Sequence, residues 1–146
     1  MTFGTLGLTR RSVLTAAVAG GAAVASAGDE EADLVKQLTG KTPTLSDRVH
    51  LVMPRTFPNG DTVPLALAVD SPMTDIDHVR RVHVLAPRNP IVEVVSFHFT
   101  PARSEARVST RIRLAEPQYV LAVAEMNDGA LLMAKTWVDV ATNGCT

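Results

Sequence analysis

From Val49 onward, apolar residues recur at every second position in short runs separated by Pro, Asn, Gly and Asp. That period is the mark of strands with one face buried. About seven runs fit: Val49 to Met53, Val63 to Val69, Val82 to Ala86, Val92 to Phe99, Val108 to Leu114, Tyr119 to Glu125 and Leu131 to Val140. Their number and spacing predict an all-β chain, an immunoglobulin-like antiparallel β-sandwich of about seven strands. Alternation also assigns faces. Val95, Phe97 and Phe99 oppose Ser96 and His98, and Val108, Thr110, Ile112 and Leu114 oppose Ser109, Arg111 and Arg113. Asn127-Asp128-Gly129 lies between the last two runs, where a glycine taking positive φ makes a tight hairpin and pairs those strands. Asn59-Gly60-Asp61 marks a second tight turn before Val63.

Ahead of the strands the period is helical. Asp29 to Gly40 places acids in a first turn, apolar residues at Leu34, Val35 and Leu38, and a closing glycine, the pattern of one short amphipathic helix. Lys41 to Arg48 reads as a linker. The run Val63 to Val69 departs from its neighbours in being apolar on both faces, because Pro64, Ala66 and Ala68 back Val63, Leu65, Leu67 and Val69. Two covers for the second face stay open, a partner protein or the N-terminal helix.

The first residues read as a leader. Thr9-Arg10-Arg11-Ser12 runs into an Ala- and Gly-rich apolar stretch that closes on Ala25-Ser26-Ala27, the form of a twin-arginine export signal with a small-residue cleavage site after Ala27. The same arginine pair could open a membrane stub, but the apolar stretch is shorter than the roughly 20 residues a spanning helix needs. The chain is therefore expected to divide into a signal (1–27), a sandwich domain (28–140) and a C-terminal arm (141–146), with no stable membrane anchor. Export implies an oxidising compartment, the periplasm, and a mature chain of about 119 residues, long enough to bury one core without disulfides. Losing Arg10 and Arg11 with the leader takes the net charge of −1 to about −3, and no basic tract or aromatic series invites nucleic acid.

Chemistry is sparse. His50, His78, His83 and His98 show no spacing shared with a second ligand type, so no metal or other cofactor is expected. No nucleophile-elbow motif is present, and Ser96 and His98 share a strand face without a third member. Asp75 and Asp77 fall in a polar loop, while Trp137 and Met53, Met73, Met126 and Met133 are expected to pack. What remains is one cysteine, Cys145, followed only by Thr146. A single thiol in an exported chain is either the seed of an intermolecular disulfide or a reactive group. No Lys, Arg or His occurs after Asp139, so nothing in the tail lowers the thiol from its usual pKa of about 8.5. Such a thiol suits a carrier whose partners ionise it better than a self-activated catalyst.

Several segments, in order, resemble one family. Phe57-Pro58-Asn59-Gly60-Asp61-Thr62-Val63-Pro64, Val95 to Phe99, Ser109 to Ala115 and Val123 to Gly129 are similar to SoxY, the sulfur-carrier subunit of the bacterial thiosulfate-oxidising complex. The resemblance implies twin-arginine export, a sandwich after an N-terminal helix, and a non-catalytic subunit carrying sulfur intermediates on Cys145. It also implies a heterodimer with a SoxZ-like subunit. A c-type cytochrome would load thiosulfate, a thiol hydrolase would release sulfate, and a sulfane dehydrogenase would oxidise the remaining sulfur. The arm departs from the family's usual Gly-Gly-Cys-Gly-Gly ending, since only Gly144 and Cys145 match within Asn143-Gly144-Cys145-Thr146. Glycine's freedom helps an arm thread a narrow channel, so this departure bears on which enzymes accept it.

Overall fold

A computed structural model describes residues 27–102 and 105–141. Helix α1 (Ala27–Thr39) is followed by nine strands: β1 (Thr44–Leu45), β2 (Val49–Val52), β3 (Thr56–Phe57), β4 (Val63–Val69), β5 (Val79–Leu85), β6 (Glu93–His98), β7 (Arg107–Ile112), β8 (Gln118–Met126) and β9 (Leu131–Val140). The seven runs are the seven longer strands, and β4 and β9 begin and end where the pattern predicts. The two additions, β1 and β3, have two residues each, too few for an alternation to register. β1 lies within the expected linker, which is thus partly a strand.

The strands form two sheets. One runs β1-β9-β8-β5-β6, with β3 also on β9, and the other runs β2-β4-β7. The longer strands pair antiparallel. The short β1 and β3 run parallel to β9, so the edge of the larger sheet is mixed where full antiparallel order was expected. Between the sheets lies the core: Val63, Leu65, Leu67 and Val69 from β4 meet Val82 and Val84 from β5, Val120, Ala122 and Ala124 from β8, and Val138 and Val140 from β9. Valine and alanine dominate because a pleated surface accepts β-branched and small side chains without rotamer loss.

The hairpin forms as the sequence indicates. Gly129 sits at φ 89°, its N–H donates to Met126 O at 3.0 Å and Met126 N–H donates to Ala130 O at 2.9 Å. At Asn59 the turn is a single 3₁₀ turn, Gly60–Thr62, capped by the Asn59 side chain accepting from Asp61 N–H at 2.9 Å.

Helix α1 lies on the outer face of the larger sheet. Its Val35 is fully buried against Leu85, Leu121, Val123, Leu131 and Met133, while Leu38 is 54% exposed. The predicted apolar stripe is therefore anchored by one residue, reinforced by Glu31, which accepts from Lys135 Nζ at 3.0 Å. The helix is thus not the cover for the second face of β4, because it occupies the other sheet. Pro64, Ala66 and Ala68 remain half-buried on an outer face that α1 does not reach.

Candidate functional site at the root of the C-terminal arm

Strand β9 leads toward the expected C-terminal arm, and its last residues are held differently from the rest. Pairing with β8 runs from Leu131 to Val138, where Val138 opposes Gln118. Beyond that point β3 takes over, with Thr56 opposite Asp139 and Phe57 opposite Val140. Asp139 N–H donates to Arg55 O at 2.8 Å and Ala141 N–H donates to Phe57 O at 3.3 Å. Val140 is 3% exposed, whereas Asp139 and Ala141 face solvent.

Two of the segments that carry the family resemblance meet at this end. Leu114 N–H donates to Gly60 O at 2.7 Å, Arg113 Nε lies 2.9 Å from Asp61 Oδ1, and Arg111 Nη1 donates to Thr62 O at 3.2 Å. The contact requires glycine. A Cβ on Gly60 would fall 2.5 Å from Leu114 O and 3.6 Å from Val140 Cγ2, and backbone does not yield as a flexible side chain does. The segment 57–64 is thus a buttress between β7's exit and the end of β9.

The arm residues Asn143, Gly144, Cys145 and Thr146 lie outside the described residues, as do Arg10 and Arg11. Ala27, the expected cleavage residue, is the first residue of α1.

A second cluster lies in a cleft of ≈ 310 Å³ between the end of α1 and the larger sheet, lined by Leu38, Lys41, Arg81, His83, Glu93 and Glu125 among others. Arg81 donates to Glu125 Oε2 through Nη2 at 2.9 Å and Nε at 3.3 Å, and Arg80 Nη1 lies 3.7 Å from Oε1. The hydrogen bond from Arg81 holds the Glu125 carboxyl below its ordinary value of 4.5, aided by the charges of Arg81, Arg80 and His83 and opposed by burial. Ser96 meets His83 across β5 and β6. Ser96 Oγ donates to Glu93 Oε1 at 2.7 Å, while His83 Nδ1 lies 3.2 Å from Ser96 Oγ and 3.3 Å from Glu93 Oε2. Serine and carboxylate crowd the same ring nitrogen, whereas a hydrolytic relay places them on opposite ones. This is a structural cross-strand pair, and only the register reveals it.

The other candidates have plain roles. His50 Nε2 pairs with Asp70 at 2.8 Å on the surface. His78 Nδ1 lies 2.9 Å from Thr74 O in the loop. Asp75 is exposed, and Asp77 comes within 3.9 Å of Arg48. Met126 and Met133 are buried, but Trp137, expected to pack, is 41% exposed and meets Tyr119 edge-on at 5.1 Å. It lies on the sheet's outer face, where it lines a cleft with Glu30, Glu31 and Leu34 of α1. Among the described residues no three His, Cys, Asp or Glu side chains gather as a metal site, and no helix is long and apolar enough to cross a membrane.

Fold and site geometry together define a two-sheet β-sandwich protein whose last described strand, β9, is flanked by two short parallel strands. The chain belongs to the SoxY family: the model described as sulfur oxidation protein SoxY matches residues 35–145, from α1 through the cysteine. The sulfur carrier protein SoxY from Chlorobium limicola f thiosulfatophilum is similar in structure, with TM-score 0.62, 25% identity, and coverage of 78% of this chain and 98% of that one. A superoxide reductase (neelaredoxin) E23A from Ignicoccus hospitalis gives TM-score 0.58 at 16% identity, covering 64% of this chain and 79% of that chain. A putative superoxide reductase from Thermotoga maritima gives TM-score 0.58 at 18% identity, covering 68% and 94%. The likeness to these last two shows the sandwich fold alone. No curated protein matches the sequence.

Proposed function

We propose that this chain is a periplasmic sulfur-substrate carrier that holds thiosulfate-derived intermediates covalently on Cys145 and presents them to partner enzymes. The family match reaching residue 145 carries the reading, because it takes in the one thiol of the chain. The anchored root at Ala141 supports it, since a carrier needs a rigid body and a short tether.

The chemistry balances without a catalytic group on the carrier. Loading joins the Cys145 sulfur to the sulfane sulfur of thiosulfate, with the thiol proton lost and two electrons passed to a c-type cytochrome. A thiol hydrolase then adds water to the terminal sulfonate, breaks its sulfur–sulfur bond and releases sulfate, leaving a persulfide on Cys145. A sulfane dehydrogenase oxidises that outer sulfur to a sulfonate, with three waters supplying the oxygens and six electrons passing to the dehydrogenase's own electron acceptor. With no cation in the arm, each partner supplies the positive field that ionises or stabilises the sulfur. Twin-arginine export through Arg10 and Arg11, with cleavage after Ala27, brings the chain to these partners. A SoxZ-like subunit takes the outer face of β2-β4-β7, where a shallow groove of ≈ 290 Å³ is lined by His50, Val52, Ala66, Ala68, Arg107 and Ser109 and Val52 is 65% exposed. Small residues there let a second sheet approach closely.

The test is intact mass spectrometry, without reductant, of the mature protein co-purified with its partner, before and after thiosulfate and an active cognate cytochrome. A reductant-labile adduct on wild type, absent from Cys145→Ser, is the expected result. A bare thiol or only a disulfide-linked dimer would overturn the carrier role.

A further inference from the structure

The geometry points to a clamp, formed by the backbone of Arg55–Phe57 and buttressed by Gly60, that fixes the pivot of the C-terminal arm at Ala141 and so limits the depth at which Cys145 works; this rests on the carrier reading above.

The end of β9 is held from one side. Its pairing with β8 stops at Val138, so residues 139–141 have a single sheet neighbour, and that neighbour is β3. Strand ends held on neither side fray. Without the clamp the tether would start at Val138 and place seven residue steps before Cys145, an extended reach of about 24 Å; with it the tether starts at Ala141 and four steps reach about 14 Å. The acceptors are two carbonyls, Arg55 O just before β3 and Phe57 O within it, taking the N–H groups of Asp139 and Ala141. Packing locks the same point: Val140 belongs to the core and sits against Gly60, whose lack of a side chain lets the 59–61 turn close on Leu114 O. The two-residue strand thus matters to arm length more than to the sheet's area.

The consequence concerns the partners. An enzyme served by this arm must hold its reacting group no deeper than about 14 Å below the rim that meets the end of the sandwich. Residues 139–141 are ordered in advance, so their ordering does not recur as a cost at each docking event. Lengthening the tether from four to seven residues lowers the effective concentration of the thiol at a partner's site about twofold through chain length alone. Lost orientation of the reacting sulfur adds to that, since small misplacements in such sites cost up to about a hundredfold. Arg55, Phe57 and Gly60 are positioning residues in this scheme and touch no reacting atom.

Because Cys145 is the sole cysteine, a nitroxide label attaches there without further engineering. The full mature chain is compared as wild type, as Ala141→Pro, which deletes the donor to Phe57 O, and as Asp139→Pro/Ala141→Pro, which deletes both donors while leaving every β8 pairing in place. The label should become more mobile in the order wild type, single, double variant, and the Asp139 amide, whose partner is Arg55 O, should exchange faster in the single variant than in wild type. Cys145 should react with a small neutral disulfide at rates within about twofold of one another, because the free thiol is the same in all three. Cytochrome-dependent loading should fall about threefold in kcat/KM for the single variant and about tenfold or more for the double variant. Unchanged label mobility in the double variant would overturn the clamp, as would a loosened root that loads at the wild-type rate. Should the double variant fail to fold, the same measurements on the single variant decide the matter. Failure of wild type to load with an active cytochrome would sink the carrier reading, and the label and exchange data would still test the clamp.

Discussion

Replacing Lys135 by methionine and Glu31 by glutamine should have unequal costs, and the inequality tests how α1 is fastened to the strand that feeds the arm. The Lys135 and Glu31 side chains are 21% and 11% exposed and 3.0 Å apart, and Lys135 Nζ lies 4.7 Å from the Tyr119 ring centroid. Lys135→Met keeps the aliphatic stem over Tyr119 but strands a carboxylate on the covered side of the helix. Breaking a fully buried pair this way costs about 3–5 kcal/mol; at this partial exposure about 2–3 kcal/mol is expected. Glu31→Gln leaves a lysine that swings toward water and keeps its ring contact, so about 1 kcal/mol is expected. The double variant should recover part of the larger loss, with a coupling of about 1 kcal/mol or more. Urea titration followed by far-ultraviolet dichroism measures all four corners of the cycle. Because the fully buried apolar residue that α1 contributes is Val35, the larger loss should surface as early release of the helix, seen as faster amide exchange in residues 31–38 before the sheet opens. Equal costs for the two single variants, or additivity in the double, would refute the claim that the pair is a desolvated fastener, and would make it an ordinary surface ion pair of little worth.

Other perturbations probe the core, the charge cluster and the outer face. Leu67→Ala, at 2% exposure in the middle of the β4 inner face, should cost about 3 kcal/mol by chemical denaturation, through lost burial and the cavity left between the sheets. Glu125 has a folded pKa held below its ordinary value of 4.5, so its contribution is fully present above that value and is lost as pH falls through the lowered one. Stability curves between pH of about 7 and 3 should therefore be shallower on the acid side for Glu125→Gln than for wild type, with about 1 kcal/mol less stability for the variant at neutral pH. Ala68→Arg on the outer face of β4 should leave melting of the isolated chain nearly unchanged and reduce co-purification of the proposed SoxZ-like subunit at least about tenfold; retention of that subunit would move its proposed seat elsewhere.

Much of the fold was legible because strands of six to ten residues print their alternation directly into the chain. β4 shows this best: Val63, Leu65, Leu67 and Val69 share one face by parity, and that face is the core. The hairpin at Gly129 was equally plain, since positive φ favours a residue without a side chain. Parity falls silent for a strand of two residues, so β1 and β3 passed as connecting chain. It also says nothing about which sheet a helix will cover, and α1 settled on β5, β8 and β9 because Val35 found its apolar partners there.

The candidate site divided along the same line. Sequence alone determined that there is one thiol, Cys145, that no cation lies between Val140 and Thr146, and that the chain carries the segments of its family. Those are matters of composition and order, which folding does not alter. Tertiary structure alone decided that Phe57 to Pro64 and Ser109 to Ala115 meet at the end of β9, and that the carbonyls of Arg55 and Phe57 hold the chain as far as Ala141. Contacts between residues some 50 to 80 positions apart depend on register and on how two sheets pack, and neither leaves a local period for a sequence to display.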